Sequence, residues 1–104
     1  APSITIINGL LAAGASVSAF DPVAMSTAKR IFEDRIQYAH NGYEALKGAD
    51  ALILVTEWNE FRTPDFDRIK VLLKSPVIFD GRNIFNSKQL LNKQFTYFGI
   101  GRNS

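Results

Sequence analysis

Asp80-Gly81-Arg82-Asn83 is the run in this chain whose residue types and spacing best suit ligand chemistry. It follows the apolar stretch Val77-Ile78-Phe79, and Gly81 gives the backbone room to turn sharply. Arg82 then projects past the end of that stretch. Its planar fork can donate two parallel hydrogen bonds to a phosphate or a carboxylate. Asp80 stands where it can orient the arginine. The plainer alternative is an ordinary surface ion pair between Asp80 and Arg82. A second candidate is Thr56-Glu57-Trp58, after the continuous run Ala51-Leu52-Ile53-Leu54-Val55. There Trp58 could stack on a base or ribose and Glu57 could accept from a hydroxyl. The same Trp58 could instead seal the end of a sheet against a helix, which is what large aromatics more often do. Asp21 sits where an acid could hold a ribose, but Asp before Pro is also a common turn. Gly9 and Gly14 fall within or after a helix and make no phosphate loop. His40, ahead of Asn41-Gly42, reads as part of a surface turn.

Several chemistries are excluded by what the chain lacks. It has 104 residues and no Cys, so it carries no disulfide framework, thiolate metal site or cysteine nucleophile. A single His excludes a multi-histidine metal site and makes a complete Ser–His–Asp triad a poor fit. Twelve Lys and Arg against ten Asp and Glu leave a net charge of +2, scattered rather than clustered. That pattern argues for neither a nucleic-acid nor a membrane partner. No apolar run reaches the roughly 18 residues of a membrane helix, and no signal-peptide pattern is present. Opening on Ala1 rather than Met points to a processed chain or a fragment. The expectation is an intracellular binding module rather than a self-contained enzyme.

The elements that must position these residues follow from hydrophobic periodicity. Ile4, Ile7, Leu10 and Leu11 recur at helical spacing, with Ser3 as N-cap and Gly14 as the stop. Val17, Ala19 and Phe20 predict a short strand ended by Asp21-Pro22. Residues 24–34 predict a helix, 36–39 a strand, and 43–47 a short helix closed by Gly48. The run 51–55 predicts a strand buried on both faces, as in parallel sheets. Thr63-Pro64-Asp65 predicts a helix start with Thr63 as N-cap and Pro64 at the first helical position. Phe66, Ile69, Leu72 and Leu73 give that helix its apolar face, and Pro76 breaks it. Strands at 77–79 and 95–100 flank a last helix over 86–92, and Phe61, Phe66 and Phe79 are expected in the core. Lys29 and Arg30 read as a solvated helix face.

Alternation of helices with near-continuous apolar strands predicts one α/β domain over residues 1–104. The expected plan is Rossmann-like, a doubly wound parallel sheet in three α/β/α layers. A doubly wound sheet normally opens on a central strand followed by its ligand-binding turn. This chain opens on a helix, so the first strand is expected to lie before Ala1. Ligands in such sheets bind beyond the carboxyl ends of the strands, which is where both candidate runs fall.

Together these residues resemble a known family. The motifs are Gly14 to Pro22 with its Ala-Phe-Asp-Pro ending, Glu44 to Asp50 leading into 51–58 with Thr-Glu-Trp, and Val77 to Asn83 with Asp-Gly-Arg-Asn. In this order they are similar to the C-terminal UDP-binding domain of the UDP-glucose/GDP-mannose dehydrogenase family, and within it to members acting on UDP-glucose. The resemblance implies a parent that oxidises UDP-glucose to UDP-glucuronate in two NAD-dependent steps, in the cytoplasm, for polysaccharide biosynthesis. It implies an N-terminal NAD-binding domain and a central helical region that carries the catalytic Cys and supports a homodimer. It makes Arg82 the substrate-binding arginine, with Asp80 and Gly81 in support. The catalytic Cys and Lys and the Phe-Lys nucleotide-binding turn have no counterpart here. A receiver-like signalling domain shares the alternating plan, but it needs an early acidic pair and a phospho-acceptor Asp where this chain has Thr56. A generic α/β interaction domain is a third reading.

Overall fold

The computed structural model describes residues 2–55 and 63–99, apart from the Pro2 side chain. The chain divides into two compact units, Ala1–Ala45 and Leu46–Ser104. Each combines helices with parallel strands, so the expected α/β class holds.

The first unit contains helix α1 (Pro2–Ala12), strand β1 (Ser18–Ala19), helix α2 (Met25–Phe32), a 3₁₀ turn (Glu33–Arg35), strand β2 (Gln37–Tyr38) and the start of helix α3 (Gly42–Leu46). Ser3 lies inside α1 rather than capping it, because the helix already runs from Pro2. Gly14 does stop the helix. It adopts φ 88°, and the N–H groups of Gly14 and Ala15 donate to the carbonyls of Leu11 and Leu10 at 3.0 and 2.9 Å. That crossed pair is the Schellman arrangement, and its left-handed residue suits glycine. The helix predicted over 24–34 ends earlier, at Phe32. Glu33 takes φ 52°, and the Arg35 guanidinium donates to the Ile31 carbonyl at 3.1 Å, satisfying a helix-end acceptor. β1 and β2 pair in parallel, with Ser18 opposite Gln37 and Ala19 opposite Tyr38. Phe32, Ile36, Ala39 and Tyr43 are buried.

The second unit holds β3 (Leu52–Leu54), α4 (Phe66–Leu72), β4 (Val77–Asp80), α5 (Ser87–Asn92) and β5 (Thr96–Gly99). Its three strands are parallel in the order β3-β4-β5, so β4 is central. Each unit's strand order fits its half of a doubly wound plan. Leu52 and Leu54 are buried, as are Ile78 and Asp80, whereas Ile53, Val77 and Phe79 are half-buried. The strands predicted to be buried on both faces therefore bury one face fully and the other in part. Phe79, expected in the core, stacks on half-exposed Phe98 with centroids 4.9 Å apart.

Two helix starts differ in how well the sequence foretold them. Asn86 caps α5, its side chain accepting from the Gln89 N–H at 3.0 Å. For α4 the cap is Asp65, not Thr63. The Asp65 carboxylate accepts from the Arg68 N–H at 3.0 Å, and the helix begins at Phe66 with Pro64 left outside it. A carboxylate at this place also complements the positive end of the helix dipole, an advantage over a hydroxyl. Ile69, Ile78 and Leu90 are completely buried, and Phe66 meets Phe85 and Phe95 edge to face at 5.4 and 5.9 Å.

Candidate functional site

Parallel pairing places the carboxyl ends of β3, β4 and β5 along one edge of the sheet, with Leu54, Asp80 and Gly99 in register. The loop 81–86 leaves the central strand at that edge. The Gly81 N–H still donates to the Leu54 carbonyl at 2.7 Å, so the loop starts tied to the neighbouring strand.

Asp80 is fully buried, at 0% exposure. A carboxylate so placed must be held by hydrogen-bond donors, because desolvating it alone is costly. Its Oδ1 accepts from the Arg82 N–H at 3.0 Å. Its Oδ2 accepts from the Phe85 N–H at 3.0 Å and from the Tyr97 hydroxyl at 2.8 Å. Asp80 thus folds the loop by binding its backbone from beneath. The orienting role expected of Asp80 falls on the backbone of Arg82, through its N–H.

The turn itself is made differently from the expectation. Gly81 has no positive φ; the left-handed position is Asn83, at φ 54°. Asn tolerates this region better than most side chains. Phe85 anchors the far end of the loop, buried and packed edge to face on Phe66. Asn86 then caps α5. Between these fixed points Arg82 is exposed, while Gly81, Asn83 and Ile84 are half-buried. An open groove of about 350 Å³ runs beside the loop, lined in part by Thr63, Pro64, Ile84, Asn86 and Gln89. Among the described residues, the edge thus carries the exposed Arg82, on a loop pinned at both ends, next to a groove.

The other candidates divide. Glu57, Trp58 and Phe61 lie outside the described residues, as do Thr56 and 100–104. Asp21 is engaged locally: its Oδ1 accepts from the N–H groups of Val23 and Ala24 at 2.8 and 2.9 Å, fastening the entry to α2. His40 is exposed, and its backbone N–H donates to Glu44 at 3.0 Å beside the Asn41 cap of α3. Lys29 is exposed, with its ammonium 5.6 Å from the centre of the Tyr38 ring. No cluster of acidic, histidine or cysteine ligands for a metal occurs among the described residues. No described helix is long and apolar enough to cross a membrane. Among the described residues, Phe85 and Tyr97 join the site without any signal in the sequence that marks them.

The unit is of the open parallel α/β class, whose members take their ligands beyond the carboxyl ends of the strands. Comparison with known proteins specifies the class further. The family model for the UDP binding domain of the UDP-glucose/GDP-mannose dehydrogenase family matches residues 1–87. The chain belongs to this family, as its UDP-binding domain.

Among curated relatives, the UDP-glucose 6-dehydrogenase of Rhizobium meliloti is 43% identical over 101 residues, covering 97% of this chain and 23% of the relative. That of Pseudomonas aeruginosa is 39% identical over 107 residues, covering 98% of this chain and 24% of the relative. The chain thus spans about a quarter of the length of the relatives it matches. A crystal structure of an NDP-N-acetyl-D-galactosaminuronic acid dehydrogenase from Methanosarcina mazei superposes with a TM-score of 0.78. It is 31% identical, over 97% of this chain and 20% of the other.

NAD is the cofactor that the family implies, and the turn after β1 does not fit its phosphates. β1 passes to α2 through Phe20-Asp21-Pro22-Val23-Ala24, without the glycine loop that lets a backbone approach a pyrophosphate.

Proposed function

We propose that this chain is the nucleotide-end domain of an NAD-dependent UDP-glucose 6-dehydrogenase, which oxidises UDP-glucose to UDP-glucuronate. In this reading the domain closes over the UDP portion of the substrate, and Arg82 binds an anionic group there. Gly81 and buried Asp80 shape and hold the loop, and Glu57 and Trp58 are secondary candidates for substrate contact. The parent's remaining domains supply the NAD site and the catalytic cysteine. The parent is a cytoplasmic homodimer whose product feeds polysaccharide biosynthesis.

The observation that supports this most is the placing of Arg82: exposed, on a loop anchored to a buried carboxylate, at the carboxyl edge of the central strand. A guanidinium carried on a held backbone has less freedom to lose on binding and can meet two oxygens at once.

The test is Arg82→Ala in the full-length dehydrogenase, with calorimetric affinity for UDP-glucose and melting temperature measured side by side. Loss of a charge-assisted contact predicts roughly 10- to 150-fold weaker binding. The melting temperature should barely move, because an exposed arginine contributes about 0–1 kcal/mol to stability. Unchanged affinity, or a loss explained wholly by unfolding, would return Arg82 to a structural role.

A further inference from the structure

We propose that Tyr97 is a positioning residue for Arg82, acting through Asp80. Tyr97 lies on β5, beyond the residues matched by the family model. In the register of the sheet Tyr97 stands opposite Ile78 and Gly99 opposite Asp80. Tyr97 and Asp80 are therefore diagonal neighbours on one face of the sheet, within reach of a long side chain. The Tyr97 hydroxyl donates to Asp80 Oδ2 at 2.8 Å, and its oxygen lies 3.5 Å from the Phe85 carbonyl. A hydroxyl has one proton, so the shorter contact, to the carboxylate, is the hydrogen bond that matters.

The geometry makes Asp80 a two-sided clamp. Oδ1 holds the N–H of Arg82 itself, and Oδ2 holds the N–H of Phe85 at the loop's far end. The two oxygens are rigidly joined, so the rotation of the carboxylate fixes both contacts together. Among the described residues, the donors that reach this carboxylate from outside the loop come from Tyr97. Its hydroxyl sets that rotation from a neighbouring strand. Without it the carboxylate can turn toward the loop donors alone, and the backbone at Arg82 gains freedom. A guanidinium on a looser backbone must be ordered when ligand binds, at a cost in affinity. Tyr97 thus acts on the ligand without touching it.

This inference rests on Arg82 being the substrate arginine, so the experiment is a double-mutant cycle that separates the two claims. Wild type, Tyr97→Phe, Arg82→Ala and the double variant are made in the full-length dehydrogenase, and UDP affinity is measured for each by calorimetry. Tyr97→Phe should weaken UDP roughly five- to tenfold, less than loss of the arginine itself. In the Arg82→Ala background the same change should have no further effect. A merely structural tyrosine would lower the melting temperature and leave the affinities of the folded proteins alike. If Arg82→Ala weakens UDP and Tyr97→Phe does not, the positioning role fails while the reading of Arg82 stands. If the two effects add independently, Tyr97 does not act through Arg82 and the inference is overturned. If Arg82→Ala changes nothing, both fail. Should Tyr97→Phe not fold, Asp80→Asn takes its place in the cycle. Its amide keeps the carboxylate's size but offers a donor on one side of the clamp, so the same coupling to Arg82 is expected, and additive effects overturn the inference.

Discussion

Burial decides what Asp80 can do. The sequence puts an acid, a glycine and an arginine together at a strand end, which is enough to mark the loop. It does not say which of them faces solvent. The structure buries the acid and exposes the base, so the pair works as anchor and presenter. Period-two alternation along Val77–Asp80 placed Asp80 on the same face as fully buried Ile78, and that part was legible in principle. Tyr97 was not, because its partner depends on the register between β4 and β5, a tertiary property. The anchor role predicts the outcome of Asp80→Asn. An amide has one oxygen and one NH₂, so one of the loop N–H groups that Asp80 now accepts must face a donor. A buried N–H left in this way costs about 1–3 kcal/mol. Urea unfolding should show the loss as a lower midpoint with an unchanged slope. A midpoint equal to that of wild type would mean that the carboxylate is not holding the loop.

Among the elements, a local signal served best where it stood alone at the end of a helical pattern. Gly14 did, supplying the left-handed φ that closes α1. Asp65 was missed because Thr63-Pro64-Asp65 contains two capping residues two positions apart, and sequence alone does not rank them. α5 ends on a residue that no sequence signal marks. Gln94 takes φ 67°, and the N–H groups of Gln94 and Phe95 donate to the carbonyls of Leu91 and Leu90 at 3.0 and 2.9 Å. This is the same crossed pair that closes α1 at Gly14, with glutamine where glycine is usual. A side chain at positive φ is strained, so Gln94→Gly should raise stability by about 0.5–1 kcal/mol. The exposed 3.4 Å contact from Lys70 to the Gln94 side chain is too weak to reverse the sign. Asp65→Ala should lower stability by about 1 kcal/mol through loss of the α4 cap. Thermal melts of the two variants should move in opposite directions, and a shared direction would refute at least one assignment.

At the scale of the molecule, the alternation of helix and strand was the most legible feature. The apolar runs at 51–55 and 77–79 are short and continuous, and they became β3 and β4 in parallel pairing. Activity is a different matter, because it depends on residues that no fold can replace. Taking an alcohol carbon to a carboxylate passes through an aldehyde. In the parent proposed above, a thiol carries the aldehyde onward, since a covalent adduct turns one hard oxidation into two easier steps. The chain has no Cys, and it spans 23% of the Rhizobium meliloti relative. In the proposed reading it keeps the ligand loop, and with no Cys it has no thiol to serve as that nucleophile. The 104-residue chain, given UDP-glucose and NAD, should therefore produce no NADH above background, while the full-length parent under the same conditions does. Neither outcome depends on whether Arg82 binds substrate, because supplying ligand affinity cannot supply a missing nucleophile. NADH fluorescence rising with the isolated chain's concentration would show that it holds a route to oxidation independent of a thiol.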